Sequence, residues 1–285
     1  MRAESTASGA ARAPAGRHRV GRRKRTPSGF AVGEIGYAPH RHQAVHAHAG
    51  ASVTLVLRGA VRERAGTREE IGRPLSVVVK PAGVEHADEY GRDGLDTLQI
   101  SLPDGLVDLA PGAGAGGGWR WIHAGAVTAP FFEVLRVLRG HPGDGVRLDW
   151  AVVDTLAALA DDPGRGRGIP PAWLARVRER IDDAEPGSLT VEAAAAEAGV
   201  HPVSLTRAFR RYYGVTTSGY LRRVRLRRAA RLLADTPCPL SSVAFASGFS
   251  DQSHMTRETR AATGSTPAGL RALLRREAGA GPPRS

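Results

Sequence analysis

Sulfur, lysine and aromatic side chains are all scarce in this chain of 285 residues. Cys238 is the only cysteine, so no disulfide can close within the chain and no cysteine cluster can hold zinc. A lone thiol fits a reducing compartment, and the expected location is the cytoplasm. Aromatics make up 5% of residues, which leaves the cores to aliphatic side chains. Lysine occurs only at Lys24 and Lys80, so the positive charge is almost wholly arginine. No apolar run approaches the ~20 residues that span a bilayer. The basic N-terminus has no apolar stretch behind it, so neither a membrane anchor nor a secretory leader is expected. Signatures of common enzyme classes are also missing. There is no nucleophile–base arrangement and no pair of acids at motif spacing. The glycines at 112–118 lack the strand-to-helix context of a dinucleotide-binding loop. No catalytic residue is expected.

The charge that is present is unevenly placed. Residues 1–30 carry eight basic and one acidic side chain, residues 31–170 fourteen and seventeen, and residues 171–285 eighteen and ten. A mildly acidic middle between two basic ends points to a polyanionic partner, with the C-terminal third as its natural site. The length favours two domains.

Residues 1–29 mix Arg, Ala, Gly, Ser and Pro without hydrophobic period and are expected to be a disordered basic arm. From 30 to 110 the pattern is of strands. Val53, Leu55 and Leu57 alternate with Thr54 and Val56, Leu75–Val79 is a short run stopped at Pro81, and Leu98, Ile100 and Leu102 alternate with polar neighbours. Short strands between Gly and Pro turns suggest a small antiparallel barrel. Residues 111–170 are expected to hold a Gly/Ala loop, helices at Pro130–Arg139 and Leu148–Ala160 that contribute to a dimer contact, and a linker from Asp161 to Pro171. Residues 171–275 are expected to be helical throughout and 276–285 a disordered tail. The fold class is therefore α+β, a β-barrel followed by an all-α domain.

Within the helical segment a single plan occurs twice. A short helix opened by Ser188 or Thr190 ends at Gly199, and a second runs from Val203 to Tyr212 and stops at Gly214. The helix Val243–Ser247 then ends at Gly248, and another runs from Asp251 to Thr263 and stops at Gly264. This is the helix-turn-helix plan. Thr217–Ala234 reads as one long connecting helix. Leu205, Ala208, Phe209 and Tyr212 share an inward face in the first unit, as Met255 does in the second. The opposite faces carry Val203, Thr206, Arg207 and Arg210, and Gln252, Ser253, His254, Thr256, Arg257 and Arg260. Short polar side chains and arginines near a helix N-terminus suit a major groove, where Arg bonds bidentately to guanine and methyl groups meet thymine.

The segment Leu189–Arg271 resembles the paired helix-turn-helix domain of AraC/XylS-type transcriptional regulators. The residues that carry the likeness are Ala198-Gly199-Val200, Arg207-Ala208-Phe209, Gly248-Phe249-Ser250-Asp251-Gln252-Ser253-His254, Arg257 and Gly264-Ser265-Thr266-Pro267, closed by Arg271. The resemblance implies that Val203, Thr206 and Arg207 face bases in one groove and Ser253, His254 and Arg257 in the next, one helical turn away. It also implies double-stranded DNA, a small-molecule effector, a second copy of the chain and RNA polymerase as partners, as in transcription activators. Where the family usually carries aromatics this chain has Met255 and Thr259, so Thr259→Phe is expected to raise the melting temperature.

His46-Ala47-His48 and Pro81-Ala82-Gly83-Val84-Glu85-His86 resemble the two motifs of the cupin barrel, the sensor domain common in that family. Metal-binding cupins add a Glu in the first motif, and that position is Ser52 here. Three imidazoles alone suffice for a transition metal, and His40 and His42 lie close in sequence. Without the carboxylate the expected role of His46, His48 and His86 is to line an effector pocket, with no metal and no cofactor. The competing function is a metal-dependent cupin enzyme, a dioxygenase or isomerase, with an accessory nucleic-acid-binding domain.

Overall fold

The computed structural model describes residues 18–103, 119–123, 125, 127–140, 144–160 and 170–275. Eight strands come first: β1 (His18–Arg25), β2 (Ala31–Tyr37), β3 (His42–His46), β4 (Ser52–Ala65), β5 (Arg68–Gly72), β6 (Ser76–Lys80), β7 (His86–Ser101) and β8 (Arg120–His123). They pair antiparallel in the order β1-β2-β7-β4-β6-β8, with β3 added on β7 and β5 on β4. The long strands β4 and β7 pair along their lengths and change outer neighbours midway. Ser52–Leu55 lies beside β6, whereas Val61–Ala65 lies beside β5. The register of β4 on β7 shifts on either side of Gly59. Gly59 and Gly94 meet at this point with φ of +76° and +69°, and a Cβ on Gly59 would lie 1.9 Å from the Gly94 carbonyl oxygen. Only glycine fits such a crossing, and the resulting bend folds the sheet over on itself.

Alternation along the strands assigns the two faces of the sheet. Val53, Leu55, Leu57, Val77, Val79, Leu98 and Ile100 join one apolar core. The residues between them, Thr54, Val56, Val78, Lys80, Thr97 and Gln99, line a cavity inside the fold. The apolar face is covered by α1 (Thr128–Arg139) and α2 (Gly145–Ala160) through Phe131, Phe132, Leu135, Leu148, Val152 and others. The expected α+β order, strands before helices, is what the chain shows.

Two expected boundaries shift. The segment assigned to a disordered arm contains β1, which pairs with β2 from His18 opposite Tyr37 to Arg25 opposite Ala31. Its residues are exposed except for a half-buried Lys24, so no apolar alternation announces it; backbone pairing with β2 makes it a strand. β8 falls in the stretch assigned to helices and linker, and it closes the β6 edge with Ile122 in the core and Trp121 against the cavity. Residues 1–17 of the arm, the Gly/Ala loop at 111–118, the linker at 161–169 and the tail at 276–285 lie outside the described residues.

The remaining helices are α3 (Ala172–Asp183), α4 (Val191–Glu197), α5 (Pro202–Tyr213), α6 (Thr217–Asp235), α7 (Leu240–Ala246), α8 (Gln252–Thr263) and α9 (Pro267–Leu274). α3, α4, α5 and the first half of α6 enclose one core around Leu174, Leu205, Phe209, Tyr220 and Val224. The second half of α6 turns Leu226, Ala230 and Leu233 toward α7, α8 and α9, and this core is continuous with that of the sheet domain. Polar contacts reinforce the join. Thr128 Oγ1 donates to the Ala262 carbonyl, Arg136 to Ser265 Oγ at 2.7 Å, and Arg139 to the Leu273 carbonyl at 2.5 Å.

Candidate functional site

Both recognition helices are fixed at each end by short-range chemistry. α5 begins with Pro202 at its first position, and the His201 imidazole accepts from Val203 N–H at 3.2 Å. α8 is capped by Asp251, whose carboxylate accepts from His254 N–H at 2.7 Å. Left-handed glycines, Gly214 and Gly264, end the two helices. The turns inside each unit carry Gly199 and Gly248, also left-handed. At Gly248 the chain also passes close to another backbone, for a Cβ would stand 3.0 Å from Gly187 N.

These ends set which side chains face outward. On α5, Leu205 and Phe209 are buried, while Val203, Arg207 and Arg210 are exposed and Thr206 is half-buried with its hydroxyl 3.4 Å from that of Thr217. On α8, Met255 and Thr259 are buried and Gln252, Ser253, Arg257 and Arg260 are exposed. His254, like Thr206, is only half-exposed among the expected base-facing residues. Its ring packs edge-on against Phe249 and its Nδ1 lies 3.1 Å from Ser250 Oγ, so it braces the turn as well as bordering the outer face. Glu258 pairs with Arg222 of α6 at 3.7 Å, which ties the second recognition helix to the connecting helix.

The three barrel histidines also come together. β3 pairs with the start of β7, so His46 lies opposite His86. The Pro81–Gly83 turn donates Gly83 N–H to the His48 carbonyl at 2.9 Å and brings the third ring in. The nitrogens they offer lie within 4.8 Å of one another. His46 Nδ1–H donates to the Ala44 carbonyl at 2.9 Å and His86 Nδ1–H to the Val84 carbonyl at 3.0 Å. Both bonds leave Nε2 as the lone-pair nitrogen, and His86 Nε2 is buried without a hydrogen-bond partner. Burial, with help from Lys80, pushes the His86 imidazole down to about 4, so it is neutral near pH 7. Ser52, at the position of the family's Glu, is buried on the cavity wall and supplies no carboxylate.

Asp88, Lys80 and Glu63 sit beside this cluster, and no motif in the sequence singled them out. Asp88 follows His86 by two residues, on the same inward face of β7, and its Oδ2 is 4.0 Å from His46 Nε2 and 3.9 Å from His86 Nε2. Lys80 pairs with buried Glu63 at 2.7 Å. Together with Tyr90, Gln43 and Gln99, these groups line a cavity of about 240 Å³.

Residues 194–273 match the family described as a helix-turn-helix domain. The HTH-type transcriptional regulator GlxA of Rhizobium meliloti (strain 1021) is 38% identical over 129 residues, which are 43% of this chain and 39% of that protein. The chain thus spans about two-fifths of the length of that curated relative. Among solved structures, the C-terminal domain of AraT, a response regulator from Geobacillus stearothermophilus, is 25% identical, with 39% of this chain and 93% of that chain covered and a TM-score of 0.37. ToxT from Vibrio cholerae with a bound unsaturated fatty acid is 10% identical, covers 88% of this chain and 98% of its own, and gives a TM-score of 0.38. The C-terminal helices of this chain are a helix-turn-helix domain, carried behind an antiparallel sheet domain.

Proposed function

We propose that the chain is a sequence-specific DNA-binding transcriptional regulator whose sheet domain senses a small-molecule effector. One observation carries this reading: two capped recognition helices of similar design, α5 and α8, present exposed Arg207 and Arg257 from a shared connecting helix. α6 has 19 residues, a length of about 28 Å, comparable with the ~34 Å between successive major-groove faces on one side of a duplex. Val203, Thr206, Arg207 and Arg210 would enter one groove and Gln252, Ser253, His254, Arg257 and Arg260 the next. Such a role needs no catalytic group, belongs in the cytoplasm and makes RNA polymerase a partner. Among the described residues no helix is long and apolar enough to cross a membrane.

The cupin-like cavity is the effector pocket in this reading; of the three expected histidines only His48 lines it, with the His46 and His86 rings packed against His48 behind the wall. Its lining of Lys80, Tyr90, Gln43 and Gln99 suits a small polar ligand. A second copy of the chain would dock along α2. Val146, Trp150 and Val153 are exposed by 63%, 66% and 45%, and with Ala157 they follow the four-three-four spacing of a helix-pairing seam. α1 offers no comparable face, since the sheet, α2 and α8 cover it.

Hydroxyl-radical and methylation footprinting on duplexes selected from a random pool tests the reading. Two protected major-groove segments about one helical turn apart are expected. Uniform protection without a selected sequence would overturn it.

A further inference from the structure

We propose that the cleft between the sheet domain and the first helix-turn-helix unit is a second ligand site, distinct from the barrel cavity, and that it takes a small flat aromatic carboxylate. β5 and β8 form one side of this cleft, and α3, α5 and the first half of α6 form the other; together they enclose about 430 Å³. That volume lies in the range of sites for small organic ligands. Trp121 divides the two spaces, since it also lines the barrel cavity. Binding in the cleft does not depend on the regulator reading; only an effect of the ligand on DNA affinity rests on it.

Aromatic side chains set the shape of the ligand. On the sheet side Trp121 and His123, two residues apart on β8, hold their rings within 7° of parallel with centroids 6.2 Å apart. Tyr212 and Tyr213 of α5 and Tyr220 of α6 line the helical side. Rings on both sides favour a flat aromatic body that stacks on them or meets them edge-on.

Polar groups set its charge. Among the lining residues arginine outnumbers glutamate four to three, and the glutamates are largely engaged. Arg178 Nη1 donates to both Glu70 oxygens at 3.0 and 3.1 Å, and His123 Nε2 lies 3.4 Å from Oε2. Glu69 pairs with Arg62 at 3.3 Å, and Glu179 is exposed at the rim. Two donors remain unmet, for Arg178 Nε–H and Trp121 Nε1–H are buried without a hydrogen-bond partner. Both groups only donate, so an acceptor alone satisfies them, and orphaned buried donors are rare in folded proteins. A small turn of either side chain presents its N–H to the cleft. The Arg178 guanidinium also lies 5.7 Å over the Tyr213 ring, which steadies it at the wall. A carboxylate on this guanidinium, with its ring among the aromatic side chains, meets both demands. Such a ligand touches both domains and favours the arrangement in which the first unit is docked on the sheet.

Calorimetric titration of the full-length protein with cinnamate, in the absence of DNA, tests the site. Binding of a single equivalent with a Kd below about 1 mM is expected, with the uncharged cinnamamide roughly tenfold weaker or worse. Arg178→Lys keeps a cation beside Glu70 but loses the guanidinium N–H, and should weaken cinnamate by about tenfold or more. Trp121→Phe keeps a ring without its N–H and should weaken it as well. Arg176→Lys, on the exposed side of α3, should bind as the parent does. Circular dichroism would check the folding of each variant. Hydrogen exchange with saturating cinnamate should show added protection in β8 and α5 together. No binding up to about 1 mM would overturn the proposal, as would equal affinity for cinnamamide or parental affinity in folded Arg178→Lys. Protection confined to the strands around the barrel cavity would overturn it too. DNA affinity is measured separately, so failure of the regulator reading leaves these results standing and the reverse holds.

Discussion

Arg207 and Arg257 project from helices whose ends are fixed by caps and left-handed glycines, so little ordering is left for DNA to impose on their backbones. A guanidinium held in that way can bond bidentately to one guanine. Arg207→Ala is therefore expected to cost about 1–3 kcal/mol and to relax preference at one base position. Arg222, on the connecting helix and paired with Glu258, is expected in the proposed reading to touch only backbone phosphates. Its loss should weaken all sequences alike and flatten the salt dependence, which titrations at several salt concentrations would read. Equal loss on selected and scrambled duplexes after Arg207→Ala would contradict its role. Thr259 is buried as its position on the inward face of α8 requires, but its hydroxyl has no hydrogen-bond partner. An unsatisfied buried hydroxyl costs roughly 1–3 kcal/mol. Thr259→Val removes it at nearly constant volume and is expected to raise the melting temperature by a few degrees. Phenylalanine there would also add bulk to a packed core and sacrifice some of that gain. A calorimetric melt of each variant distinguishes the two.

The elements that could be read from sequence are those whose burial leaves a periodic trace. β4, β6 and the second half of β7 alternate between helix layer and cavity, and the helix-turn-helix units are marked by small residues at left-handed turns. β1, β3 and β5 carry mostly exposed or half-buried side chains, so their pairing depends on backbone bonds that leave no hydrophobic pattern. Asp88 was equally hidden. In sequence it is one acid among several, and it gains meaning only when β3 pairs with β7 and places His46 opposite His86. The histidines themselves were legible through their motif spacing. Two predictions belong to this scale. Gly94→Ala would force a side chain onto φ +69° and within 2.4 Å of the Tyr37 carbonyl oxygen, so a loss above ~2 kcal/mol in urea unfolding is expected. Trp150→Glu places a charge in the α2 seam and should convert a dimer to a monomer in sedimentation equilibrium. An unchanged mass would move the dimer contact elsewhere.

At the level of the whole molecule, both helix-turn-helix units rest on the sheet domain, which in the proposed reading gives an effector a physical route to the DNA-binding surface. The first unit is joined through Arg178 to Glu70 at 3.0 Å, with His123 on the same carboxylate at 3.4 Å. The second packs on α1. Burial alone would raise Glu70, but the hydrogen bond and charge of His123 and the Arg178 guanidinium outweigh it and hold the carboxyl at about 2. The folded protein thus favours ionised Glu70 relative to the unfolded chain, where the group titrates near 4.5. Its contribution is complete above that value and is lost as pH falls from about 4.5 toward 2. Thermal melts across this window should show a steeper acid loss in the parent than in Glu70→Gln. Equal slopes would mean that the contact does not bear on stability. The central claim is that α5 and α8 read sequence, and a fluorescence anisotropy titration tests it most directly. The full-length protein would be titrated against its selected duplex and a scrambled duplex of the same composition at about 150 mM salt, where surface charge is substantially screened. The account predicts at least a roughly thousand-fold preference for the selected duplex. Equal, strongly salt-dependent binding to both would contradict it, reducing the arginine-studded helices to a nonspecific polyanion-binding surface.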